Sequence, residues 1–139
     1  MNCKNVKLLH PSGTRLATGA VSIAVALAVF TLMPIGAGAA DPDRGKEIFE
    51  RRCTGCHAID REKEGPRLGG VYGRAAGTIA TFTYSDAVKN SHVTWDAGSL
   101  DKWLTDPSAF IPGNDMAFRL VNSDERAAII AYLMQLSGK

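Results

Sequence analysis

Five consecutive residues, Cys53-Thr54-Gly55-Cys56-His57, constrain this chain more than any other stretch. Joined as a disulfide, two cysteines at this spacing would close a very small loop, which stabilises a fold poorly. The residues before them read as a helix: Asp41 suits the N-cap, Pro42 the first helical position, and Ile48, Phe49 and Arg52 follow at helical spacing. The pattern stops at the cysteines. Whatever the chain folds into must therefore bring two thiols and an imidazole to one place at the end of a helix.

Three chemistries compete for that constellation. A thioredoxin-type redox pair belongs in a strand–helix alternation, which the sequence lacks. A structural zinc site needs four ligands, and once the leader discussed below is set aside His92 is the only further His or Cys. The third is the attachment signal of c-type haem, C-x-x-C-H. Thiols at i and i+3 reach the two vinyl groups of one porphyrin as thioethers, and the adjacent histidine becomes the proximal ligand of its iron. One covalent haem through Cys53 and Cys56, with His57 on the iron, is the expectation.

The first forty residues read as a cleavable signal peptide. Lys4, Lys7, His10 and Arg15 lead an apolar run from Leu16 to Ile35, which ends in Gly36-Ala37-Gly38-Ala39-Ala40. Cleavage after Ala39 or Ala40 would leave one domain over 41–139, located in the periplasm, where haem of this kind is attached. An uncleaved anchor is the rival, but Thr18, Gly19, Ser22 and Pro34 interrupt the run, and a spanning helix wants roughly 20 predominantly apolar residues. No stable membrane insertion after cleavage and a monomeric state are expected. Three of the sixteen basic residues precede Asp41, leaving thirteen against fourteen acidic ones. That balance, without a clustered basic face, excludes nucleic acid as partner. About a hundred residues are marginal for a core without a staple or cofactor.

Along the rest of the chain Gly65-Pro66, Gly69-Gly70, Gly73 and Gly77 mark loop. A short helix is predicted between Thr83 and Val88, capped by Thr83 or Ser85. Another starts from Asp96, carries Leu100, Trp103 and Leu104 on one face, and is stopped by Pro107. The last helix begins at Asn122 and Glu125, at capping-box spacing, and lines up Ala128, Ile129, Tyr132, Leu133 and Leu136. Ser137-Gly138-Lys139 reads as a frayed end. No run sustains strand period. The predicted fold is all-α, with helices joined by glycine-rich loops.

Haem iron accepts His, Met, Cys or Tyr as a further ligand. From Asp41 onward the methionines are Met116 and Met134. Met134 falls off the apolar face of the last helix, and His92 lies in a polar segment that faces solvent. Met116 follows Ile111-Pro112-Gly113-Asn114-Asp115, a loop able to push a thioether toward a buried iron. By itself this loop does not separate a ligand from a packing methionine in a turn.

With these motifs in hand, the chain from about Asp43 to Leu136 resembles class I cytochrome c, in particular the mitochondrial type and its bacterial relatives. The resemblance implies three main helices, short helices and glycine-rich loops around one covalent haem. Gly45 and Phe49 look like the first-helix residues that pack on the last helix, with Tyr132 as aromatic partner. Gly65-Pro66-Arg67-Leu68 is similar to the loop whose proline carbonyl, here that of Pro66, accepts a hydrogen bond from the proximal histidine. Gly73-Arg74 matches a Gly-Arg pair that puts Arg74 near a haem propionate. Phe82-Thr83-Tyr84-Ser85-Asp86-Ala87 and Val93-Thr94-Trp95 resemble the segments whose Tyr84 and Trp95 hydrogen-bond a propionate. Ile111-Pro112-Gly113 with Met116-Ala117-Phe118 matches the axial-methionine loop, which implies His57 and Met116 as the two iron ligands.

Three departures accompany the likeness. Trp103 stands where the family has a haem-proximal tyrosine; it donates a hydrogen bond but accepts none. Val88 replaces a frequent asparagine. Ser108, Ala109 and Asp115 occupy positions where lysines are expected. The resemblance implies a non-enzymatic one-electron carrier of the respiratory (or photosynthetic) chain. Its redox partner would be an oxidase, a quinol-oxidising complex, a reaction centre or a periplasmic dehydrogenase. Its rivals are a peroxidase-like protein with an open iron and a haem subunit held permanently in a dehydrogenase complex.

Overall fold

The structure, a computed structural model, describes residues 40–138. Apart from Ala40, the expected signal peptide lies outside the described residues. Five helices follow in order: α1 (Pro42–Arg52), α2 (Asp86–Lys89), α3 (Ala97–Thr105), α4 (Pro107–Phe110) and α5 (Ser123–Gln135). Their starts are fixed by short polar caps. Asp41 accepts from the Asp43 N–H, Ser85 from Val88, Asp96 from Ser99 and Asn122 from both Asp124 and Glu125. Ser99 closes a reciprocal box by accepting from the Asp96 N–H at 2.8 Å. No such box forms at Asn122, because the Glu125 carboxylate lies 3.6 Å from Arg52 of α1.

Helix α1 packs chiefly on α5, α5 also touches α3, and α4 rests on α3. The α1–α5 crossing is close because Gly45 has no side chain. A Cβ at that position would sit 2.0 Å from the Ala128 carbonyl oxygen and 2.9 Å from Tyr132 Cβ. One turn on, the Phe49 and Tyr132 rings meet with centroids 5.7 Å apart and planes tilted by 55°. Ile48, Leu100, Leu104, Ile129 and Leu133 complete a shared core. Because α5 is flanked by two helices, its buried arc is wider than one stripe: Ile130 is buried, while Leu136, expected on the apolar face, is 36% exposed.

Two further expectations need correction. Pro107 does end α3, but it also opens α4, since a proline at the first helical position loses no intrahelical hydrogen bond and Asp106 caps the new turn through the Ala109 N–H. Nor is Ser137 frayed: its hydroxyl donates to the Leu133 carbonyl at 2.8 Å and accepts from the Tyr72 N–H at 3.1 Å, tying the end of α5 to a distant loop. Among the described residues the only β pairing is an isolated antiparallel bridge between Ala75 and Thr94.

Replacing Gly45 with valine should force α1 and α5 apart and cost about 1–3 kcal/mol or more of stability in denaturant unfolding; unchanged stability would contradict the close crossing. Hydrogen bonds from Ser99 hold the Asp96 carboxyl below its ordinary range. Its contribution is thus present at neutral pH and lost as pH falls from the ordinary carboxylate range through the lowered value. Asp96→Asn, which keeps an oxygen acceptor, should flatten that part of the acid-unfolding curve; an unaltered curve would count against it.

Candidate functional site

Helix α1 ends at the cysteine motif. Cys53 is its C-cap, with φ −106° and ψ −28°, and its N–H donates to the Phe49 carbonyl. The N–H groups of Cys56 and His57 then donate back to the Cys53 carbonyl at 3.1 and 2.9 Å, winding the motif into a tight turn. Both cysteines are free thiols; Cys53 is half-buried and Cys56 exposed. Burial pushes the Cys53 thiol up to about 11, with the Arg52 charge opposing and Cys56 reinforcing the rise.

The imidazole of His57 is fixed from two sides. Its Nδ1 lies 2.8 Å from the Pro66 carbonyl oxygen, which can only accept, so Nδ1 carries the hydrogen and Nε2 keeps a free lone pair. Gly65 lies against the ring: a Cβ there would be 2.2 Å from Cε1. The Gly65 N–H donates to the Cys56 carbonyl at 2.8 Å, so the loop folds back on the motif itself. Burial lowers the His57 pKa, the Pro66 hydrogen bond opposes that shift and the Lys63 charge adds to it. The ring is neutral at pH 7.

A second wall comes from residues 69–95. Gly73 donates to the Trp95 carbonyl at 2.7 Å, Trp95 to Arg74 at 3.0 Å and Ala76 to Val93 at 2.8 Å. This short ladder sets Arg74 beside Trp95. The Arg74 guanidinium donates to the carbonyls of Gly69 and Arg67 at 3.0 and 3.1 Å. Among the described residues it forms no ion pair with a carboxylate. Tyr84 is half-buried with its ring 4.8 Å from that of Phe82, edge to face. Burial raises the Tyr84 pKa and the Arg74 charge opposes the rise. Trp95 is 8% exposed and stands 5.3 Å from Trp103, which is half-buried.

The third wall is the chain after α4. Ile111 is buried, Gly113 turns the backbone at φ 89°, and the chain from Met116 to Leu120 follows as neither helix nor strand, with burial that alternates residue by residue. Along that run Met116 and Phe118 are half-buried and Leu120 is buried, whereas Asp115, Ala117 and Arg119 are exposed, as period 2 requires. Met116 packs against the core together with Leu68, Tyr72, Tyr84, Val93, Trp103 and Phe118. Of the alternative ligands, His92 is exposed and Met134 half-buried within α5. Sequence reasoning gave no role to Gly65 beyond its loop, and none to Asn114 or Arg126. The Gly-Pro pair and the Met116/Phe118/Leu120 alternation were the available signals.

These residues suit a covalent porphyrin. Two cysteines outside any disulfide sit one turn apart next to an imidazole whose Nε2 keeps its lone pair, Arg74 has no carboxylate partner among the described residues, and the walls carry half-buried apolar side chains. The architecture is a class I cytochrome c fold. A sequence model of the cytochrome c family matches residues 42–137. Cytochrome c of Chlamydomonas reinhardtii is 45% identical over 106 residues, spanning 73% of this chain and 95% of that protein. Cytochrome c2 iso-2 of Magnetospirillum fulvum is 49% identical over 87 residues, 60% of this chain and 91% of that one. The solved structure of cytochrome cH from Methylobacterium extorquens superposes with a TM-score of 0.65 at 37% identity, covering 68% of this chain and 98% of its own.

The chain belongs to the cytochrome c family, whose members are electron carriers with covalently bound haem c. Gly65→Ala should press a methyl group into the His57 ring and lower both stability, by about 1–3 kcal/mol, and the yield of coloured protein. Parental yield and stability would show that the loop yields freely.

Proposed function

We propose that this protein is an exported one-electron carrier with a single haem held as thioethers by Cys53 and Cys56 and ligated by His57 and Met116. Residues 1–40 direct it to the periplasm and are removed, leaving 41–139 as one monomeric domain. The observation that carries this reading is the His57 ring: its Nδ1 is engaged by Pro66 beside two free thiols, which leaves Nε2 to face a metal. When bound, the haem supplies an iron that gains and loses one electron.

The side chains do the rest. The Pro66 carbonyl fixes the His57 tautomer and makes Nε2 a better donor. The Met116 thioether would hold the iron together with His57 and raise its potential relative to many other haem environments. Arg74 would balance an ionised propionate, and Tyr84 and Trp95 would offer it hydrogen-bond donors. Trp103 offers one donor and no acceptor near Met116. With His57 and Met116 both holding the iron, no place would be open on it for peroxide or oxygen, and the protein would act as a carrier and not as an enzyme.

Its partner would be an oxidase, a quinol-oxidising complex, a reaction centre or a periplasmic dehydrogenase. Among the described residues seven basic side chains lie within ion-pair distance of carboxylates, Arg67 with Glu62 and Arg119 with Asp106 being two of the pairs. Together with the near-neutral balance from Asp41 onward, this supports association with little long-range steering. The second-order rate with the physiological partner should change little as salt is raised; a steep fall would contradict it. Met116→Ala should abolish the methionine-to-iron absorption feature of the ferric protein and let cyanide bind at rest. Retention of that feature would remove Met116 from the iron.

A further inference from the structure

We infer that Asn114 is the positioning residue that sets Met116 in register and governs how readily its sulfur leaves the iron; this rests on the ligation proposed above. The Asn114 carboxamide is used at both ends. Its Oδ1 accepts from the Met116 N–H at 2.7 Å, and its Nδ2 donates to the Ile111 carbonyl at 2.8 Å. The backbone N–H of Asn114 reaches that same carbonyl at 3.3 Å. One side chain therefore closes the turn at Gly113 and grips the backbone of the residue that carries the thioether.

Register matters because exposure alternates along the segment after the turn: Met116, Phe118 and Leu120 turn inward while Asp115, Ala117 and Arg119 are exposed. Successive side chains point to opposite faces, so a slip of one residue would send Met116 to solvent and bring Asp115 or Ala117 inward. Among the described residues no neighbouring strand holds this stretch in place. It is pinned at its far end, where the Leu120 N–H donates to the Leu104 carbonyl at 2.8 Å. Arg126 secures that end from α5, donating to the Leu120 and Val121 carbonyls at 2.9 and 2.8 Å while pairing with Asp101 at 2.7 Å. At the near end Asn114 is the corresponding hold, two residues from the sulfur. Asparagine suits the task because its amide donates and accepts at once; aspartate keeps the acceptor and loses the donor.

The test is the affinity of imidazole for the ferric holoprotein, since imidazole binds iron only where the Met116 sulfur has left it. Asn114→Ala should raise that affinity on the order of tenfold, from loss of two hydrogen bonds that hold the loop closed. Asn114→Asp should give a smaller rise, and it carries the test if the alanine variant does not mature. Asp41→Ala, which removes the α1 cap far from this segment, serves as the control for general destabilisation: it should lower the unfolding midpoint yet leave imidazole affinity unchanged. An Asn114→Ala affinity within twofold of the parent would overturn the inference, as would an equal rise in Asp41→Ala. If Met116→Ala itself binds imidazole no more tightly than the parent, the fault lies with the axial assignment and not with Asn114.

Discussion

The contact at Gly45, where α1 and α5 meet backbone to backbone, orients everything that follows it. A Cβ 2.0 Å from the Ala128 carbonyl has no room, so glycine alone allows the two helices to cross this closely. The Phe49–Tyr132 ring pair and the Arg52–Glu125 ion pair then fix the last turn of α1. That turn leads directly into Cys53, whose carbonyl organises Cys56 and His57. A helix crossing some ten residues upstream thus determines where two thiols and an imidazole can be. The chain shows little regular structure between α1 and α2, and its loops close both on the motif, Gly65 on Cys56 and the Pro66 carbonyl on His57, and on one another, as where Gly73 donates to Trp95.

The site is assembled from weak local devices, none of which would persist alone. The Arg74–Trp95 wall is a ladder of three backbone hydrogen bonds. The Met116 wall is a loop segment with alternating burial, held at its two ends by Asn114 and by Leu120 with Arg126. Apolar side chains on these walls remain half-exposed, in a domain too small to stabilise a large core by burial alone. In the proposed holoprotein a planar apolar group joining the three walls would supply the missing buried surface, so that folding and cofactor binding reinforce each other.

Much of this was legible in the sequence where the signal is local. Asp41, Ser85, Asp96 and Asn122 cap helices through bonds that span two or three residues, and such bonds are written in the immediate sequence. Long-range and ambiguous features were not legible. Pro107 reads equally as an end or a beginning. Ser137 is anchored by Tyr72, whose proximity no local pattern reveals. Gly65 has no positive φ, unlike Gly70, Gly73, Gly77 and Gly113; it is glycine because a ring lies on it, and spacing cannot tell that from a turn. Met116 was ambiguous by elimination alone, since a loop methionine looks the same whether it packs or ligates. The three-residue alternation that turns it inward is too short to stand out.

The central claim is that one haem is welded to the turn from Cys53 to His57. Intact and peptide mass spectrometry on the purified coloured protein, after extraction with acidified organic solvent, addresses it most directly. The expected result is colour that stays with the polypeptide, a mass greater by one haem, and the added mass confined to the peptide containing Cys53 and Cys56. Pigment that passes into the solvent, or a peptide with two unmodified thiols, would contradict it.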